Sequence, residues 1–474
     1  MNSRFLIILF FLFFGVKLAT GFNYAGRLFC EFPEIRAGNL TSFTGDSFSY
    51  TAAMENYITN GEYYFEVNGK KIYAGRVAHY SVPYYLLRLF FNKSTSLDLF
   101  IILQILLESM AFFLASRIIF EMTGSKLIFY LSLLFSVASF FYLHYSLIPI
   151  TDSPASSLLL ISFWFLFRYL NSSERRFSQW ISFSVLLAMA TILRPYFGLI
   201  FLFVLVLLFL KYRVSFLTLF KNGLVYASVL LLLLAPWIVR NYTRSGKLIL
   251  FQQDKYAGYD ISKELVLTRK MLAAIGEDGT TMWDKTAAAG YFSPSMYKTS
   301  IWKVPAEISS DTILSSNFMA IRDLCIDSVD DRSQSTAYNF HFNAFMDQYK
   351  AKNKVRYYFL NYINRVKVFL FHSGSYYYRY KEGDGCSKKI NYYLKGTQSL
   401  FYYLCLIPGF IGLLLIGGKK HRWVFLIPSL TLVLVFPILL GWVEWRYFLP
   451  FYFFHQIGLF YLFHQVLLFF KLGI

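Results

Sequence analysis

"AMATILRPYFGLIFLF", residues 188–203, puts an arginine and a proline inside a long apolar block. The block runs 180–210, too long for one ordinary span of about 20 residues. Pro195 removes a backbone donor and disfavours helical geometry at Arg194. Two short helices meeting at "LRPYF" are therefore predicted. Each half is shorter than a full span, so the junction should lie slightly inside the bilayer, facing a protein-lined cavity. The break also decides on which side every later loop falls. An unbroken span would put 211–221 outside and send the basic "GGKKHR" (417–422) after it, against the preference of Lys and Arg for the cytoplasmic side.

The rest of the chain is equally apolar. Of 474 residues, 56% are hydrophobic, 21% aromatic and 15% charged, more apolar surface than a soluble fold can bury. Clear candidate spans are 5–20, 97–116, 127–148, 155–170, 222–239, 398–417, 423–441 and 447–470. With the two halves of 180–210 they make about ten membrane segments, both ends inside. The predicted fold is an all-α polytopic membrane bundle with outer loops and juxtamembrane helices. Three regions follow: 1–246, a transmembrane module with an outer loop at 21–96; 247–397, an outer region; and 398–474, the last transmembrane helices. A formal charge of +19 would suggest nucleic acid in a soluble protein. Here much of it sits in alternate short loops (Arg117 and Lys126; Lys211, Arg213 and Lys221; Lys419, Lys420 and Arg422), as orientation in a membrane requires. No nucleic-acid partner is expected. The first stretch is short and ends in "KLATG", as a cleaved signal peptide does; the topology favours a retained span. Four cysteines are too few for a disulfide scaffold. Cys30, Cys325 and Cys386 fall outside and Cys405 within a span, so one outer bridge is conceivable. Within 349–371, cations alternate with aromatic and aliphatic residues at near-helical spacing, which predicts a helix lying on the membrane surface. A helix of a small outer domain is the alternative.

This topology gathers Asp46, Asp152, Arg194, Arg240, Glu444 and Arg446 on the outer side. Each has an ordinary explanation. Asp152 suits a helix start, Arg240 can snorkel to the interface, and Glu444 and Arg446 can pair with each other. Charges near membrane depth are costly, however, and mark sites. Arginines suit a phosphate, two of whose oxygens one guanidinium can grip. A carboxylate on the aqueous side suits a general base. Lys71, Arg76 and His79 in the first outer loop are further phosphate or acceptor candidates. A phosphate leaving group needs charge stabilisation more than protonation. The set thus suits transfer of a group from a lipid phosphate. Neither a "GxxxxGK[ST]" nor an "HExxH" motif occurs.

Five motifs come in order: "GDSFSYTAAMENYITNG" (45–61) after the first span, with Asp46, Tyr50, Ala53, Met54 and Gly61; Asp152 after the third; "ATILRPYFGL" (190–199); "PWIVRN" (236–241); and "RYFLP" (446–450). In this order they resemble the GT-C superfamily of membrane glycosyltransferases, in the branch containing protein O-mannosyltransferases and lipid A aminoarabinose transferases. The likeness covers the first half and the late tail; 247–396 matches nothing in it. The resemblance implies a GT-C-like bundle, a polyprenyl-phosphate sugar donor and transfer with inversion at the anomeric carbon. It makes Asp46 the base and gives Asp152 the task of organising the donor phosphate or a metal. It leaves Tyr50 as a wall of the site. The resemblance fixes no cofactor; the one candidate is a divalent metal, which Asp46 and Asp152 would hold, although Ser153 stands where relatives have a second acid.

The expected reaction moves a hexosyl or pentosyl group from a polyprenyl phosphate to a protein, lipid or glycan acceptor. Arg194, Arg240 and Arg446, with Arg76 and Lys71, would hold the donor phosphate, while Glu444 and His79 support the site. Abundant Phe, Tyr, Lys, Asn and Ile fit an AT-rich bacterial coding sequence, hence an inner membrane with the site facing outside. A surface-polysaccharide polymerase or ligase, and a transporter of lipid-linked sugars, remain alternatives.

Overall fold

The computed structural model describes residues 2–25, 40–67, 70–172, 176–252, 263–277, 306–327, 332–371, 388–416, 419–441 and 445–470. Glu444, Cys30 and Cys386 lie outside the described residues. The chain divides into two compact units, 1–253 with 373–432 and 446–474, and 254–372 with 433–445.

The first unit begins with α1 (Ser3–Ala25) and α2 (Gly45–Asn60). A two-stranded antiparallel hairpin follows, β1 (Phe65–Val67) and β2 (Lys70–Ile72), with Phe65 opposite Ile72. Helices α3 (Val82–Arg88), α4 (Lys93–Thr123), α5 (Lys126–Ala138), α6 (Phe140–Ser146), α7 (Asp152–Asn171), α8 (Phe177–Leu193), α9 (Phe197–Tyr212) and α10 (Phe216–Ser245) come next. The predicted break is present. Helix α8 ends at Leu193, Arg194 is extended (φ −142°, ψ 93°) and α9 restarts at Phe197. A second break at Ser139 bends α5 from α6 by 55°. There the Phe140 N–H is answered by Gln398 Oε1 at 2.7 Å, a side chain completing a helix start.

The second unit contains α11 (Lys263–Ala274), α12 (Ala306–Ser309), α13 (Thr312–Asp327), α14 (Arg332–Lys352) and α15 (Asn361–Leu370). Its core holds Met271, Leu272, Leu314, Phe318, Ile321, Phe345 and Tyr349. The stretch 349–371, predicted as one surface helix, is the end of α14 and all of α15, joined through a π-helical segment at Arg356–Leu360. It has two faces. Tyr349, Asn361, Arg365 and Phe369 are buried, whereas Val355, Phe359, Leu360 and Ile363 are exposed. Asn361 and Arg365 donate to the Ala274 and Ala273 carbonyls at the end of α11. Those carbonyls are among the four that a helix terminus leaves without intrahelical donors.

The last helices are α16 (Lys388–Leu415), α17 (Lys419–Val433) and α18 (Leu449–Phe469). Among the described residues, six helices are long and apolar enough to cross a membrane: α1, α4, α7, α10, and the helical stretches Tyr392–Leu415 and Arg422–Leu440. The bent α5–α6 pair makes a seventh. The chain is an integral multi-pass membrane protein. Of the ten segments expected, the other three are helical but too short or too polar to count with these. Helices α8 and α9 are too short, and α18 carries His455, Gln456, His464 and Gln465.

Packing inside the bundle uses small and polar groups, as a lipid-solvated fold must. Ser116 and Ser132 join α4 to α5 at 2.9 Å. Gln456 of α18 donates to the Ser132 carbonyl at 3.0 Å and to Ser136 Oγ at 2.7 Å. Lys17 of α1 forms a buried ion pair with Glu108 of α4, its ammonium 4.3 Å from the Phe112 ring centroid. Helices α16 and α18 cross backbone to backbone at glycines. A Cβ on Gly412 would lie 1.8 Å from the Gly458 carbonyl oxygen. Gly412→Ala should therefore force the pair apart and cost about 3 kcal/mol, read as a lower thermal unfolding midpoint. An unchanged midpoint would disprove the close crossing.

Candidate active site

Asp46 stands in the first turn of α2, where the exposed amides favour a negative charge. "TGDS" starts that helix: Thr44 is extended, and its N–H donates to Ser47 Oγ at 3.1 Å. Asp46 Oδ1 accepts from Arg76 Nη2 at 3.2 Å, and Oδ2 accepts from Arg446 Nη1. Arg76 also donates from Nε to Ser49 Oγ at 3.1 Å, and its guanidinium lies 4.6 Å from the Tyr50 ring centroid. Arg76 is thus held by three residues of α2, Asp46, Ser49 and Tyr50. Burial would raise the pKa of Asp46, but the charges of Arg446 and Arg76 and the hydrogen bond from Arg446 outweigh it. They hold the carboxyl well below the usual carboxylate range.

The second pair is Asp152 and Arg194. Asp152 begins α7 and is buried; Arg194, at the break between α8 and α9, donates to its Oδ2. Arg194 Nε is buried without a hydrogen-bond partner. Tyr447 links the two pairs, its ring centroid 5.7 Å from the Arg194 guanidinium and 5.5 Å from that of Arg446. Tyr196 lies within electrostatic reach of Arg194, Asp152 and Arg446. Below them, Tyr50 bonds Thr151 Oγ1 at 3.0 Å and its ring meets Tyr80 edge-on at 4.9 Å. Tyr80 donates to Gln104 Oε1 at 3.1 Å; Gln104 in turn donates to the Ser146 and Ile148 carbonyls. This chain of contacts fixes the loop that delivers Asp152.

The fold therefore brings together Asp46, Asp152, Arg194, Arg446, Arg76 and Tyr50. The other candidates stand elsewhere. Arg240 donates to the carbonyls of Tyr63 and Tyr73 and to Asn241 Oδ1, strapping both ends of the hairpin to α10. Lys71 is exposed on β2 and pairs with Glu62 at 3.4 Å. His79 Nε2 donates to the Leu233 carbonyl of α10 at 2.7 Å, one residue beyond the carbonyl that Pro236 leaves without its helical donor. Sequence reasoning missed Ser49, Tyr80, Tyr196 and Tyr447. Tyr196 and Tyr447 follow candidate residues in "RPY" and "WRY", a usable signal; nothing marked Ser49 or Tyr80.

Three guanidiniums face two carboxylates, which leaves one formal positive charge. Both acids point at arginines, and among the described residues no three His, Cys, Asp or Glu side chains are grouped to hold a metal. Such a set fits an anion better than a divalent cation.

No family model matches the chain, and neither does any curated protein. Two solved structures are similar to it. One is ArnT from Cupriavidus metallidurans bound to undecaprenyl phosphate, at 13% identity and a TM-score of 0.39, covering 98% of this chain and 78% of that one. The other is the same protein in the apo state, at 12% identity and a TM-score of 0.38, covering 95% and 76%.

Proposed function

We propose that this protein transfers a sugar from a polyprenyl-phosphate donor to an acceptor nucleophile at the membrane surface, with inversion. The observation that supports this most is the meeting of Asp46 with Arg76, Arg194 and Arg446 in one cluster. The donor phosphate lies against Arg446 and Arg194 over the Tyr447 ring. The acceptor oxygen attacks the anomeric carbon from the opposite face and its proton passes to Asp46. The bond from that carbon to the phosphate oxygen breaks, and its electron pair leaves with the polyprenyl phosphate. The arginines stabilise the departing charge, so neither a general acid nor a covalent sugar–enzyme intermediate is required. Asp152 positions Arg194 rather than taking part in proton transfer.

Membranes carrying the protein, incubated with radiolabelled polyprenyl-phosphate sugar, should release polyprenyl phosphate and yield a labelled acceptor. Label that only crosses the bilayer would make it a transporter instead. Removing one phosphate-binding donor should be costly. Arg446→Ala should lower kcat/KM for the donor about 10²-fold; an unchanged value would take Arg446 out of the donor site.

A further inference from the structure

Both oxygens of the proposed base are engaged before any substrate is present. Oδ1 faces Arg76 and Oδ2 faces Arg446, while Arg194 is bound to Asp152. Arg76 is fixed by Ser49 and the Tyr50 ring as well as by Asp46. Arg446 sits on the short 3-10 turn Trp445–Phe448 and shares Tyr447 with Arg194. An anion placed between Arg194 and Arg446 therefore draws on the same guanidinium that Asp46 Oδ2 uses.

From this geometry we infer that Asp46 and the donor phosphate compete for Arg446, so that donor binding is what frees Asp46 to face the acceptor. The inference rests on the proposed function, because it assigns the phosphate to Arg446. It makes binding ordered, donor before acceptor. With Oδ1 held by Arg76 and Oδ2 by Arg446, the carboxylate has less accepting capacity left for a hydroxyl. A phosphate that takes Arg446 loosens Oδ2 and adds a like charge beside it. Coupling is reciprocal: if phosphate weakens the hold on Asp46, Asp46 weakens the hold on phosphate by the same factor. The acid that serves the reaction thereby also opposes donor binding.

Farnesyl phosphate, titrated calorimetrically into the full chain in nanodiscs with farnesol as the uncharged control, reads this directly. Asp46→Asn should bind farnesyl phosphate at least about tenfold tighter than wild type, one decade being about 1.4 kcal/mol. In the Arg446→Ala background the same substitution should bring no gain, since the shared cation is gone. Asp46→Ser replaces the asparagine variant if that elutes as aggregate, with the same expectation. An Asp46→Asn affinity equal to or weaker than wild type overturns the inference. So does a gain that survives in Arg446→Ala, because simple charge repulsion would then explain it. Failure of the wild type to bind farnesyl phosphate more tightly than farnesol overturns the proposed function as well. Binding without the Asp46 effect overturns only the competition.

Discussion

Asp46→Asn is expected to reduce sugar transfer by about 10³-fold, within the range that a positioned general base supplies. The amide keeps the shape of the carboxylate but cannot accept the acceptor's proton. Since Asp46 sits in the first turn of α2 with its backbone already capped by Thr44 and Ser47, the helix should survive the change. The measurement is release of polyprenyl phosphate from labelled donor at equal amounts of folded protein. Wild-type turnover would end the case for Asp46 as base. The pH dependence carries a sign. Arg446 and Arg76 lower the pKa of Asp46 despite its partial burial, so the proposed base stays ionised in mild acid. The acid limb of kcat/KM should lie below the range of an ordinary carboxylate, with activity lost only as pH falls through that lowered pKa.

Lys17→Met is expected to destabilise the fold by about 3–5 kcal/mol, as removal of one partner from a buried ion pair does. Lys17 and Glu108 are both essentially inaccessible, and Glu108 Oε2 has no hydrogen-bond partner. Without Lys17, the Glu108 charge would stand alone between α1 and α4. The double variant Lys17→Met, Glu108→Met should recover most of the loss, because replacing a buried pair with apolar groups of similar volume is often nearly neutral. Thermal unfolding in a fixed detergent checks both. A single variant as stable as wild type would show that Glu108 finds other compensation.

The arrangement of helices was largely legible because its signals are local. Pro195 announces the break at Arg194 by its own chemistry, and the side rule for Lys and Arg then orders the loops. The meeting of Asp46 with Arg446 was harder to see. The two are 400 positions apart, and only the counting of sides gathers them. What stayed hidden was bonding to backbone. Arg240 looked like a phosphate ligand, since sequence cannot show the Tyr63 and Tyr73 carbonyls waiting for it. Lys17 passed as the flank of an apolar stretch because its acid lies 91 residues on. The bend at Ser139 also left no mark, since the amide it frees is answered by Gln398 on another helix.

The serine and glutamine contacts between α4, α5 and α18 bear on how the site meets a changing bilayer. Apolar helix faces alone permit small slides along their axes, because one greasy contact replaces another at little cost. A Gln456 that must find Ser132 and Ser136 together admits one register, and a slide of even one residue rise would break all three bonds. A thicker or thinner membrane is then met by tilt or by deformation of the lipid. The register of α18, whose N-terminal end follows the turn carrying Arg446, against α5 stays as built. If the proposed donor is right, the protein keeps this register while acting on a lipid drawn from the same bilayer.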